Sequence, residues 1–303
     1  MRALIYICLI VSGHFLFASV EERLVEVNEA QIFCKIIGQG DPIVVVHGGP
    51  AMMHNYLFDL AKLSETHQVI FYDQRGCGKS SCEINEDTIR FDLFVDDLER
   101  LRKALNLEKI TLLAHSWGGL LSMKYAITYP ESIDRLILLN SLPASFEDCY
   151  LTVTESMKQL DPYQEELQSI ERSKEFLSDD PDTVQKYFKL RSRVNFYDPK
   201  KADLLNVSLT LKDFKSFLKI GELLTYNMIM DPFDWYEDLK NWNFPVLIVH
   251  SDFDFIPLTD AQKVHESISN SQYVVIKECG HCPFIEKPEE LLDHLFNFLL
   301  KRN

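Results

Sequence analysis

The chain has 303 residues, 46% apolar and 25% charged, which excludes a disordered, collagen-like or multi-span membrane protein. Its 31 Lys and Arg against 46 Asp and Glu give a net charge of −15. That argues against a nucleic-acid partner, whose phosphates ask for a basic face.

The first 20 residues, MRALIYICLIVSGHFLFASV, open on Arg2, run apolar from Ala3 to Val11, and turn acidic at Glu21. This is the pattern of a secretory signal peptide cut between Ala18 and Val20. It predicts an exported protein, periplasmic or secreted, that meets the membrane only through this segment. Without it six cysteines remain, an even number that permits disulfides in an oxidising compartment.

Two strands are predicted within 23–38, split at Asn28-Glu29, and a third over Ile43–Val46, a β-branched run of the kind buried on both faces. Gln68–Tyr72 reads the same way. Apolar positions Ile89, Leu93, Leu98, Leu101 and Leu105 recur at helical spacing. Then follow a strand over Ile110–Ala114, a helix over Trp117–Thr128 and a strand over Arg135–Leu139. Strands alternating with helices predict a parallel sheet with right-handed crossovers.

From 143 to 240 the alternation stops, and stretches such as 165–177 and 209–224 are charged and amphipathic. This predicts a helical insertion into a core made of 21–142 and 241–303. The core resumes with a strand over Val246–His250, a helix near Thr259–Ser267, a strand over Tyr273–Lys277 and a helix over Pro288–Leu300, with Pro288 at its first position.

The chemistry concentrates at strand ends. Ala114-His115-Ser116-Trp117-Gly118-Gly119 joins a buried strand to a helix, where a sharp turn projects a Ser hydroxyl. A lone Ser needs a base and an orienting acid, expected in the order Ser, Asp or Glu, His. Strand 246–250 leads to Asp252 and Asp254, and strand 273–277 leads to Gly280-His281. Ser116, Asp254 and His281 are therefore the candidate nucleophile, acid and base, with Asp252 the rival acid. His47-Gly48-Gly49-Pro50 follows strand 43–46, so the N–H groups of Gly49 and Trp117 are the candidate oxyanion donors. The loop 73–80 carries only a G-x-G, and Cys279-x-x-Cys282 lacks a second ligand pair. Neither nucleotide, metal nor cofactor is implied.

HGGP, DQRGCGKS, HSWGG and GHCPFIEKPEE together resemble the prolyl aminopeptidase (proline iminopeptidase) branch of the α/β-hydrolase superfamily. The resemblance covers about 30–145 and 240–300. It implies an α/β fold with a mostly parallel eight-stranded sheet, helices on both faces and an inserted helical cap. It also implies Ser116, Asp254 and His281 as the catalytic set. The implied activity is release of N-terminal proline or small apolar residues from peptides. A carboxylesterase or amidase with the same triad is the alternative, so the partner is a peptide or small-molecule substrate. In some family peptidases an acidic residue follows the catalytic Asp and helps bind the free amine; here it is Phe255. A second amine-binding Glu lies in the cap about 30 residues before that Asp, and Glu222 is the nearest match.

Overall fold

The computed structural model describes residues 4–11, 14–207 and 209–301. Nine strands form one sheet in the order β1-β2-β3-β5-β4-β6-β7-β8-β9. They are β1 (Leu4–Val11), β2 (His14–Val27), β3 (Ala30–Ile37), β4 (Pro42–Val46), β5 (Gln68–Tyr72), β6 (Ile110–His115), β7 (Ile133–Leu139), β8 (Val246–Ser251) and β9 (Ser271–Ile276). The pairs β1–β2, β2–β3 and β3–β5 are antiparallel, and every later pair is parallel.

Strands β2 to β9 are the eight the sequence led us to expect. The ninth, β1, comes from the leading apolar segment, of which residues 1–3, 12 and 13 lie outside the described residues. A run of β-branched residues satisfies an edge-strand pattern as readily as a leader pattern. β1 touches the sheet through β2 alone, so the order of the other eight does not depend on it. At the next hairpin, Asn28 and Glu29 have φ of 36° and 62°. Two consecutive left-handed residues make the tight turn whose twist matches antiparallel strands.

The central strands explain why their sequences read as unbroken apolar runs. Alternate residues face opposite sides. Val44, Val46, Leu112, Ala114, Leu136 and Leu138 join one core, shared with α1 (Phe91–Ala104) and α2 (Trp117–Thr128). Ile43, Val45, Leu113, Ile137 and Leu139 join the other, beneath the 3-10 helical run His54–Glu65 and the C-terminal helix. All six residues of β6 are buried. Each fully buried Leu or Ile side chain contributes about 1.5–3 kcal/mol relative to exposure.

Between β7 and β8 the chain makes α3 (Phe146–Lys158), α4 (Gln164–Glu171), α5 (Lys174–Leu177), α6 (Pro181–Ser192), α7 (Leu211–Met230) and α8 (Tyr236–Leu239). The two long stretches read from the sequence correspond to α4–α5 and α7. The helix boundaries follow local chemistry. Ser145, Ser173 and Asp180 cap the N-termini of α3, α5 and α6, and Thr210 with Asp213 forms a capping box on α7. The core ends with α9 (Leu258–Glu266), α10 (Pro283–Glu286) and α11 (Pro288–Leu299). Among the described residues no helix is long and apolar enough to cross a membrane. Cys34, Cys77, Cys82, Cys149, Cys279 and Cys282 are free thiols.

Candidate active site

Four loops that leave the carboxyl ends of parallel strands converge at one edge of the sheet: those after β4, β6, β8 and β9. Ser116 sits between β6 and α2 with φ 59° and ψ −123°, a conformation an L-residue rarely adopts. Such a residue costs of order 1–3 kcal/mol, which the surrounding packing must offset. Gly118 shows how tight that packing is. A Cβ there would stand 2.3 Å from the carbonyl oxygen of Val46 and 2.7 Å from that of His47. Only glycine lets α2 start this close to β4. Ala114, in the place of the first small residue of the turn, is fully buried and accommodated.

His281 and Asp254 are in direct contact. The Nδ1–H of His281 donates to Asp254 Oδ1 at 2.9 Å and Oδ2 at 3.0 Å. A carboxylate can only accept, so the proton lies on Nδ1 and Nε2 keeps its lone pair. Asp254 also accepts from the Ile256 N–H at 3.1 Å and from the side-chain amide of Asn140. Full burial pushes the Asp254 pKa up, but the charge and hydrogen bond of His281, the nearby His250 and the Ile256 N–H outweigh it, and the net direction is down. Its ionised form is thus favoured in place.

Asp252 is built differently. Its carboxylate faces Lys277 at 3.7 Å and takes the Cys279 N–H at 3.4 Å, without a contact to an imidazole. The geometry separates the two rival acids.

Two further histidines hold the loops in register. The Nε2 of His115 donates to the carbonyl oxygen of His281 at 2.9 Å, which forces its Nδ1 to accept from the Tyr56 hydroxyl at 2.8 Å. That hydroxyl accepts the Gly48 N–H at 2.7 Å. One chain of bonds therefore joins the glycine loop, the residue beside Ser116 and the His281 loop. The His115 and His281 rings lie 4.5 Å apart. Burial lowers the His115 pKa to about 3, so it stays neutral and keeps its tautomer. His47 is lowered to about 4 by the same cause. Its Nε2 accepts the Gln74 N–H at 3.0 Å, and the Gln74 side chain accepts from the Trp117 indole at 3.2 Å.

With the Gly48 N–H taken by Tyr56, Gly49 is the donor left in that loop. Its φ of 133° belongs to glycine. Trp117 is the first residue of α2, where backbone N–H groups lack intrahelical acceptors and the helix dipole favours negative charge.

Glu222 is not part of this arrangement. It lies on the outer side of α7, its side chain 68% exposed and paired with Lys219 Nζ at 3.1 Å. The inward side of the helix carries Ile220, Leu223 and Leu224. A solvated carboxylate already paired with a lysine is not an ammonium pocket, so the role expected of Glu222 finds no support in its placement. Phe255 lies tilted against His281 instead, its ring 4.5 Å from the imidazole. Sequence reasoning did not single out Tyr56, Asn140 or Glu286, which support the loops. Tyr56 and Asn140 lie outside the quoted motifs, Glu286 lies within GHCPFIEKPEE, and their partners are 59 to 114 positions away or are backbone groups.

The fold and these four loops define an α/β hydrolase. The α/β hydrolase fold family matches residues 41–288. The proline iminopeptidase of Heyndrickxia coagulans is 30% identical, over 86% of this chain and 91% of its own length. That of Clostridium botulinum is 28% identical, over 91% and 96%. Among solved structures, a proline iminopeptidase from Mycobacterium smegmatis superposes with a TM-score of 0.65 at 24% identity, covering 92% of this chain and 97% of that one. A 2-hydroxy-6-oxo-6-phenylhexa-2,4-dienoate hydrolase from Rhodococcus reaches 0.71 at 17% identity, covering 94% and 100%. These two structural likenesses bear on the fold. The chain belongs to the α/β-hydrolase fold family and, within it, to the proline iminopeptidases, hydrolases of the prolyl aminopeptidase type.

The contrast between the two acids predicts the outcome of a pair of substitutions. Asp254→Asn should lower kcat by about 10⁴-fold, because an amide neither holds the Nδ1–H tautomer nor stabilises an imidazolium. Asp252→Asn should stay near wild type. Steady-state kinetics of both variants on one substrate decides it, and the reverse ranking would exclude Asp254 as the acid.

Proposed function

We propose that this hydrolase releases an N-terminal proline or small apolar residue from peptides through an acyl-enzyme on Ser116. The observation that carries the reading is the buried Asp254–His281 pair, with its proton on Nδ1, whose loop is bonded through the His281 carbonyl to His115, the neighbour of a serine held in a left-handed turn. The proline iminopeptidase relatives support the choice of substrate.

In the proposed mechanism Nε2 of His281 takes the Ser116 proton as Oγ attacks the scissile carbonyl. The tetrahedral oxyanion is met by the N–H groups of Gly49 and Trp117. The imidazolium, stabilised by Asp254, then protonates the leaving amine. The same base activates water, which attacks the acyl-enzyme, and Ser116 regains its proton. The neutral His115 and His47 do not compete for protons in this cycle, because burial keeps their pKa values at about 3 and about 4.

A second reading, a carboxylesterase or amidase indifferent to a free amine, is favoured by the exposure of Glu222 and by Phe255. A panel of prolyl and alanyl anilides, their N-acetylated analogues and short-chain aryl esters separates the two. The aminopeptidase reading predicts that blocking the amine slows hydrolysis by at least about tenfold, since an ammonium that loses its charge loses its partner. Equal rates on free and blocked anilides would sink it in favour of the second reading.

We further propose that residues 1–20 direct export and are removed. This rests on the Arg-led apolar run and on Glu21-Glu22 after it. N-terminal sequencing of protein purified from its own host should begin between Ser19 and Glu21. A soluble intracellular protein with Met1 in place would contradict export.

A further inference from the structure

The other buried carboxylates of the described structure have a cationic or imidazole partner: Asp97 with Arg75, Glu99 with Arg102, Asp73 with His54, Asp254 with His281. Glu286, at the end of α10 and 6% exposed, is satisfied by backbone alone. Its Oε2 accepts the N–H of Gly280 at 2.6 Å and of Tyr197 at 3.1 Å, and its Oε1 accepts that of Asp198 at 3.0 Å. Gly280 immediately precedes His281. Tyr197 and Asp198 belong to the cap.

The cap segment and the base loop are joined at other points as well. The His281 N–H donates to the Asn195 carbonyl at 2.7 Å. Lys201 Nζ donates to the backbone carbonyl of Glu286 at 3.0 Å. A Cβ on Gly280 would stand 2.5 Å from the Asn195 oxygen and 2.8 Å from Phe196 Cα, so the two backbones lie against each other with no room between. On the acid side, the Tyr197 ring meets Phe253 edge-on at 5.2 Å, and the Phe253 N–H donates to the Cys279 carbonyl at 2.9 Å.

We propose that Glu286 is the positioning residue of His281, and that through it the cap segment 195–198 forms part of the support of the base. The proposal rests on the reading of His281 as base. Asp254 fixes the rotation of the imidazole, but the backbone at 280–281 fixes where the ring stands. Charge-assisted bonds to a carboxylate are about twice as strong as neutral ones, and only a carboxylate presents acceptors alone to all three N–H groups. Glutamine in its place brings an amide NH2 against at least one of them, and the buried Gly280 N–H competes for the single oxygen left. The consequence is that the base is in register only when the cap is seated.

The test uses the full chain and the panel substrate hydrolysed fastest. Glu286→Gln is compared with Gly280→Ala, which wedges the cap from the base loop and leaves Glu286 intact. Glu99→Gln, a buried carboxylate remote from the loops, is the stability control. A misplacement of about 1 Å is worth about 10²-fold in rate, so both variants at 280 and 286 should lose kcat by that order with KM nearly unchanged. The low-field proton resonance of His281 Nδ1–H should broaden or shift in both. The double variant should be little worse than either single, because both act through one support. If Glu286→Gln does not fold, Gly280→Ala alone carries the kcat and resonance readouts. Melting temperatures lowered as in Glu99→Gln, with kcat and the resonance kept, would reduce Glu286 to a structural residue and overturn the proposal. Full activity in His281→Ala would instead remove the reading on which it rests, and the two failures are distinct.

Discussion

The left-handed backbone of Ser116 is the constraint from which the rest of the site follows. A residue at φ 59° survives only where its neighbours leave no alternative. Here β6 arrives from the middle of the sheet with every residue buried, and α2 leaves with Trp117, Leu120 and Leu121 packed into the core. Gly118 presses against the carbonyls of Val46 and His47 at the end of β4, and Gly119 against Ser141. Strand and helix are thus fixed independently, and the residue joining them takes the strain. The outcome is a serine whose place is set by the sheet rather than by its own loop.

Burial then does two jobs among the polar groups. It removes water from the hydrogen bonds of Tyr56, His47, His115 and Asn140, so each has one partner set and the two histidines one tautomer each. It also pushes the two supporting histidines well down the pH scale while Asp254, against the same desolvation, is drawn down by its imidazole neighbour. Of His47, His115 and His281, it is His281 that is bonded to a carboxylate.

Much of this was legible in the sequence, for a physical reason. Strands buried on both faces must be unbroken apolar runs, so β4, β5, β6, β7 and β8 announce themselves, and α2 was delimited to the residue. The residues of the proposed triad sit at strand ends, where position in the chain and position in space coincide. The leading segment is the opposite case, because length and apolarity do not separate a leader from an edge strand such as β1. The cap is harder still. Its helices were visible, but which side of α7 faces the site depends on packing against Gly76 and α1, and Glu222 proved to be on the solvent side. Glu286, in the quoted GHCPFIEKPEE, showed its partners only once the cap segment 195–198 was placed beside it.

The segment between β7 and β8 is the cap of this hydrolase. It meets the His281 loop backbone to backbone at Asn195 and through the Glu286 carboxylate at Tyr197 and Asp198, while its long helix α7 turns an apolar side inward. On the proposed reading, specificity rests on those cap surfaces, and reactivity on the elbow beneath them. The most direct measurement of the account is covalent labelling with a fluorophosphonate, followed by peptide mapping. The account predicts one adduct per chain, on Ser116, absent from Ser116→Ala; a label on another residue, or labelling undiminished in that variant, would contradict it.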